Sequence, residues 1–210
     1  MTDLSTALQA CPIVPVLTIS RLEDCAPLAQ ALANAGLRVL EITFRTDCAA
    51  EAIAALKKER PDLVIGAGTV LNQAHIDTAH QVGADFTVTP GVSPQLRDAL
   101  KQAPMPVIPG AATIGEMMGL MEDGFTRQKF FPATIAGGVG ALKAVGAPLA
   151  GLSFMPTGGI NADNVSDFLA LKNVFAVGGS WMIDAASVAE GNWAQVEAHA
   201  ARAIEVGAAA

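Results

Sequence analysis

A (β/α)8 barrel of the TIM-barrel class, preceded by one extra helix, is the fold this sequence predicts. Eight short β-rich runs alternate with segments of helical spacing along the whole chain. Hydrophobic residues make up 51% of the 210 residues, yet they are dispersed over short Val/Ile/Leu/Ala runs, as strands buried on both faces require. No linker, low-complexity tract or charge block interrupts the alternation, so a single domain over residues 1–210 is expected. Alternation does not by itself establish closure, and a doubly wound open sheet is the structural alternative.

Residues 1–10 read as the extra helix. "PIVPVLTI" is the first strand run, followed by "LEDCAPLAQALANAG", where Ser20 with Glu23 three residues on forms a capping-box pattern and Gly36 marks the helix end. "RVLEITF" precedes the helical "CAAEAIAALKKERP". "LVIGAGTV" precedes "NQAHIDTAHQVGA", which stops at Gly83, and "DFTVTPG" precedes "SPQLRDALKQAP". "MPVIPGA" leads to "TIGEMMGLMEDG", ending at Gly124, and "RQKFFPA" leads to "GVGALKAVGAP". "LSFMPTGG" is followed by "NADNVSDFLALK", and "VFAVGGS" by the long "GNWAQVEAHAARAIEVGA".

Composition removes several function classes. The net charge is −7, with no basic stretch, no Tyr and 5% aromatics, which argues against a nucleic-acid surface. No apolar run approaches the roughly 18 to 20 residues of a membrane span. The opening "MTDLSTALQACPIVPVLTI" lacks the basic-then-apolar order of a signal peptide, so a cytoplasmic protein is expected. Cys11, Cys25 and Cys48 are odd in number and widely spaced, and they are expected as free thiols rather than a disulfide framework or zinc site.

In a (β/α)8 barrel the chemistry sits where strands end and the following loops begin. Those ends hold Glu41 and Arg45, Thr69, Pro90, Lys129 and Phe131, then Thr157-Gly158-Gly159 and Gly178-Gly179-Ser180. Of six lysines, only Lys129 falls within a strand run; Lys57, Lys58, Lys101 and Lys143 fall in helical segments and Lys172 follows one. Burying a lysine disfavours its charged form, and a neutral amine attacks a ketone to form a Schiff base. The bland alternative is a lysine snorkelling to water or paired with Glu41. Glu41 sits between Leu40 and Ile42 in an apolar run, and by the strand period Glu41, Thr43 and Arg45 are expected on one side. There Glu41 is placed for general acid/base work and Arg45 for an anionic group, unless both serve structural ion pairs.

Glycine pairs end the seventh and eighth runs, where barrel loops commonly hold a phosphate on backbone N–H groups. A glycine pair also stands at Gly137-Gly138, so location carries this point more than the dipeptide does. His75, His80 and His199 all fall in helical segments, which leaves no strand-end histidine for a metal site or a Ser-His-Asp triad.

The motifs "VLEITFRT", "IGAGTVL", "TPG", "KFFPA", "PTGGI" and "GGSW" stand in the order and at the spacing of the 2-keto-3-deoxy-6-phosphogluconate (KDPG) aldolase family, which includes the 4-hydroxy-2-oxoglutarate (KHG) aldolases. The chain resembles that family over essentially its whole length. The resemblance implies a compact (β/α)8 barrel, a metal-free and cofactor-free class I lyase, and a homotrimer. It implies Lys129 as the Schiff-base lysine, Glu41 as general acid/base and Arg45, with Thr69 beside it, as the carboxylate site. It places Gly158, Gly159, Gly179 and Ser180 in a phosphate pocket, with Pro90, Phe131 and Thr157 lining the substrate. The implied reaction cleaves KDPG, a small molecule of the Entner-Doudoroff route, to pyruvate and glyceraldehyde 3-phosphate, with KHG giving pyruvate and glyoxylate. One departure follows the lysine motif, where "PATIAGGVGALKA" puts Thr134 and Gly140 in place of the familiar Glu and Lys. From the residues themselves, a sugar-phosphate isomerase or epimerase using Glu41 as base, or a non-catalytic sugar-phosphate binder, remains open beside the aldolase.

Overall fold

The computed structural model describes residues 4–208. Nine strands appear among them. They are β1 (Ile13–Leu17), β2 (Val39–Thr43), β3 (Val64–Gly68), β4 (Phe86–Val88), β5 (Val107–Ile108), β6 (Gly110–Ala111), β7 (Arg127–Phe130), β8 (Ser153–Pro156) and β9 (Val177–Gly179). Helices alternate with them: α1 (Leu4–Ala10), α2 (Cys25–Asn34), α3 (Ala49–Glu59), α4 (Gln73–Gln81), α5 (Pro94–Lys101), α6 (Ile114–Glu122), α7 (Gly138–Gly146) and α8 (Val165–Leu169). The short α9 (Ala185–Glu190) and the long α10 (Trp193–Ala208) follow β9. Of the expected first helix, residues 1–3 lie outside the described residues.

This is an α/β fold in which every strand pair is parallel. A six-stranded sheet runs β5-β4-β3-β2-β1-β9 and a three-stranded one runs β6-β7-β8. The expected count of eight strands differs because "MPVIPGA" is broken at Pro109. Proline has no N–H to give to a ladder. Val107 and Ile108 therefore pair with β4, while Gly110 and Ala111 pair with β7. At the other junction, isolated parallel bridges join Phe154 to Val174 and Thr157 to Gly178.

Strand parity divides the side chains between two layers. Ile13, Leu17, Leu40, Ile42, Ile65, Ala67, Phe130 and Phe154 pack with the helices in one large core. Val14, Val39, Val64, Phe86, Val88, Ile108, Met155 and Ala176 form a second cluster on the opposite face, joined by Leu4, Ala7 and Leu8 of α1. The extra helix thus lays its apolar residues against that second face. Glu41, Thr43, Lys129 and Thr157 share the parity of this second cluster, which is how charged and polar groups come to stand on otherwise apolar strands.

Helix ends follow ordinary capping chemistry, with one correction. Ser20 and Glu23 form no capping box: the chain first makes a 3-10 turn at Leu22–Asp24, Arg21 grips Asp24 through two 2.7 Å hydrogen bonds, and α2 begins only at Cys25. A complete box occurs instead at Thr113 and Glu116, opening α6. Gly36, Gly83 and Gly124 do close their helices, at φ of 109°, 77° and 90°.

Candidate active site

β2 delivers Glu41 and β7 delivers Lys129, and the two meet over the second cluster. Lys129 Nζ donates to Glu41 Oε1 at 3.2 Å, with side chains only 5% and 0% exposed. Register fixes the level of each: Glu41 lies opposite Val16 and Gly66, and Lys129 opposite Gly110 and Met155. The absence of a side chain at Gly68 makes room for the carboxylate, since a Cβ there would stand 2.2 Å from Glu41 Oε1. Gly66 likewise admits the Phe86 ring beneath it, a Cβ there falling 2.3 Å from the ring.

A buried ion pair alone is compatible with a structural role. Two further features distinguish this one. Glu41 Oε2 is buried and accepts no hydrogen bond from the described residues, so its lone pairs are open to a water or a substrate hydroxyl. Lys129 Nζ also lies 5.4 Å from the centre of the Phe131 ring, a cation–π distance, and Phe131 is at the same time part of a cavity wall.

That cavity, of about 220 Å³, opens at the strand ends and is lined by Arg45, Phe131, Thr157, Gly158, Gly159, Gly179 and Ser180. It brings together seven residues that the sequence nominated. Lys129 and Glu41 are not in its lining, and Phe131 connects them to it. Val16, Thr18 and Ile160 line it as well, and sequence reasoning missed all three. Val16 and Thr18 share strand parity with Val14, so the alternation along "PIVPVLTI" carried that signal.

Arg45 does not share a strand face with Glu41 and Thr43 as expected. β2 ends at Thr43, and Arg45 lies in the following turn, its backbone N–H donating to the Thr43 carbonyl at 2.8 Å. Its Nε donates to Thr69 Oγ1 at 3.1 Å, and Thr69 holds φ at +56° to present that hydroxyl. A β-branched residue in this region is strained. Thr69 therefore orients Arg45 rather than lining the cavity. Pro90 is also outside the lining; it packs on Gly110, where a Cβ would lie 2.4 Å from the Pro90 carbonyl carbon, one strand away from Lys129.

The glycine loops are built by close approach. Gly158 and Gly159 have φ of 97° and 80°, conformations that favour glycine. Thr134 Oγ1 donates to the Gly158 carbonyl at 3.3 Å and Asn164 Nδ2 to that of Gly159 at 3.0 Å, which anchors the turn. A Cβ on Gly159 would stand 2.0 Å from Thr134 Oγ1, and one on Gly178 2.4 Å from Thr157 Oγ1. Thr134, singled out as a departure in sequence, is thus packed directly on the loop nominated for phosphate.

The histidines lie in α4 and α10. His75 packs edge-on against Phe44 at 5.4 Å, and His199 Nε2 sits 3.0 Å from the Trp181 carbonyl oxygen. The three cysteines are free, and burial pushes the Cys25 thiol up to about 12, so it stays protonated at neutral pH. A larger cavity of about 440 Å³ lies between α5 and α6. Its charges are already engaged, Arg97 with Asp123, Lys101 with Asp98, and Glu116 with the backbone N–H groups of Ala112 and Thr113.

The family model described as KDPG and KHG aldolase matches residues 4–199. The KHG/KDPG aldolase of Escherichia coli K12 is 42% identical over 97% of this chain and 96% of its own. The 2-dehydro-3-deoxy-phosphogluconate aldolase of Pseudomonas aeruginosa is 44% identical over 96% and 92%. Among solved structures, a Legionella pneumophila KDPG aldolase, with pyruvate captured as a covalent carbinolamine, superposes with a TM-score of 0.92 at 38% identity, covering 97% of this chain and 98% of that one. On the family match and on relatives of this identity over nearly their full length, the chain belongs to the KDPG and KHG aldolase family.

Proposed function

We infer that this protein is a class I aldolase that cleaves KDPG to pyruvate and glyceraldehyde 3-phosphate, and KHG to pyruvate and glyoxylate. The observation that carries the assignment of roles is the buried Lys129–Glu41 pair with Glu41 Oε2 left without a partner. Lys129, having passed a proton to Glu41, attacks the C2 ketone to give a carbinolamine; Glu41 returns that proton to the departing hydroxyl, so that water leaves, the iminium forms and Glu41 is again a carboxylate. Glu41 removes the C4 hydroxyl proton. The C3–C4 bond breaks, its electrons enter the iminium to form an enamine, and the aldehyde leaves. A proton returns to C3 from Glu41, and water hydrolyses the imine to free pyruvate and the amine. The carbinolamine described for the Legionella relative supports the first of these steps. The test is pyruvate release from each substrate by the purified protein.

Arg45, steadied by Thr69, takes the substrate carboxylate, and the Gly158, Gly159, Gly179 and Ser180 loops take the phosphate, with Phe131, Thr157 and Pro90 shaping the pocket between them. Two variants separate the ends. With KDPG and its unphosphorylated counterpart, Ser180→Ala is expected to harm KDPG more, while Arg45→Ala harms both alike. Hydrogen bonds to charged groups are worth about 1.5 to 3 kcal/mol, so losses of roughly tenfold to a hundredfold in kcat/KM are expected. Equal losses for the two substrates in Ser180→Ala would remove Ser180 from the phosphate site.

Gly68→Ala tests the placement of Glu41. The added methyl group occupies the carboxylate's position, and a displacement of about 1 Å at a reacting group costs on the order of 100-fold in rate. A kcat close to wild type in a folded Gly68→Ala protein would show that Glu41 need not stand where it does.

The two sheets are read as one closed (β/α)8 barrel in a single domain over residues 1–210. Support comes from the isolated bridges Phe154–Val174 and Thr157–Gly178 beside β8 and β9, from the single residue separating β5 and β6, and from a core that runs from Cys11 to Ala203. The assembly is read as a homotrimer on the family resemblance alone. Light scattering at assay concentration checks it, and a monomer would refute it. Free thiols at Cys11, Cys25 and Cys48 favour a reducing, cytoplasmic setting. No helix among the described residues is long and apolar enough to cross a membrane.

A further inference from the structure

We propose that Thr18 reads the C5 hydroxyl of KDPG, acting as a hydrogen-bond acceptor that makes this chain selective for a hydroxylated aldehyde half. The proposal rests on the aldolase assignment above and assigns a new residue to the same site. Thr18 continues the inward parity of β1 and lines the 220 Å³ cavity. In the sheet order β1 stands between β2 and β9. Thr18 therefore lies between Arg45, after β2, and Ser180, after β9. Those two residues hold the carboxylate and phosphate ends of the substrate, so Thr18 faces its middle.

A proton inventory fixes what Thr18 can offer. Its Oγ1 lies 3.2 Å from Thr43 Oγ1, a contact in which either hydroxyl is a candidate donor. The single hydroxyl proton of Thr43 is already committed, because Thr43 Oγ1 donates to the Leu17 carbonyl at 2.9 Å. Thr18 must then donate to Thr43, and its own oxygen is left with lone pairs only. Such an oxygen accepts from a hydroxyl and repels a phosphate or carboxylate. KDPG carries hydroxyls at C4 and C5. The C4 proton goes to Glu41 in the cleavage step, so the C5 hydroxyl is the donor that remains.

The test pairs KDPG with its 5-deoxy analogue, which differs only by that hydroxyl and yields pyruvate in the same assay. Thr18→Val keeps the side-chain shape and leaves the Thr43–Leu17 bond intact. It is expected to lower kcat/KM for KDPG about fivefold, the effect of one neutral hydrogen bond, and to leave the 5-deoxy analogue within about twofold of wild type. Thr18→Ser, which restores the hydroxyl, is expected to recover the KDPG preference. A loss of equal size on both substrates, or no loss on KDPG, would overturn the proposal. A wild-type protein that cleaves neither substrate would instead refute the aldolase assignment on which it rests.

Discussion

Lys129→Arg is expected to lose KDPG cleavage almost completely while keeping the fold. Arginine preserves the positive charge facing Glu41, which Lys129 meets at 3.2 Å, and so preserves the electrostatics of the buried pair. What it cannot do is form an imine, because its guanidinium stays protonated and delocalised. The substitution therefore separates a structural ion pair from a nucleophile. A structural lysine would tolerate it with a modest change in stability. Covalent and acid–base steps contribute at least ~100-fold, so residual turnover below about 1% of wild type is expected. Turnover above that level in a protein with unchanged circular dichroism would return Lys129 to a structural role.

Glu41→Gln is expected to have the second largest effect. The amide retains a hydrogen-bond acceptor for Lys129 but no longer takes a proton from the C4 hydroxyl, so kcat should fall by roughly 10² to 10⁴. Addition of pyruvate to Lys129 does not require the C4 proton transfer, and the proton that Lys129 gives up before attack can go to water instead of residue 41, so the variant should still be trapped by borohydride with pyruvate more readily than it turns over. Removing one partner of a buried pair is also destabilising, by up to about 3 to 5 kcal/mol, so the melting temperature should drop. Wild-type turnover accompanied by a lower melting temperature would mean that Glu41 is an ion-pair residue and nothing more.

Much of this site is visible in the sequence because it breaks local rules. Lys129 and Glu41 are charges inside apolar strand runs, and in the structure both are buried and paired. The glycine pair Gly158-Gly159 is conspicuous at a strand end, and in the structure both residues take a positive φ. The strand runs, the helices between them and the extra helix at the start also follow from periodicity. Other features are non-local and left no such mark. Pro109 splits a run because of which neighbour lies on each side, and that depends on sheet order. Arg45 was expected on the Glu41 face by the period of two, but β2 stops at Thr43 and the period with it. α9 is a single short helix held by Asp184, whose carboxylate accepts from the backbone of Ala186 and Ser187 at 3.3 Å; six residues are too few to show a helical face. Thr18 is an ordinary threonine at a strand end until the commitment of the Thr43 proton is known.

The most direct test is borohydride reduction in the presence of pyruvate, followed by mapping of the modified residue. A covalent pyruvate adduct on Lys129 is expected in the wild-type protein, with none on Lys57, Lys58, Lys101, Lys143 or Lys172 and none in Lys129→Arg. Cleavage of KDPG without an adduct, or with the adduct on one of those other lysines, would contradict the Schiff-base role of Lys129 on which the proposed mechanism depends.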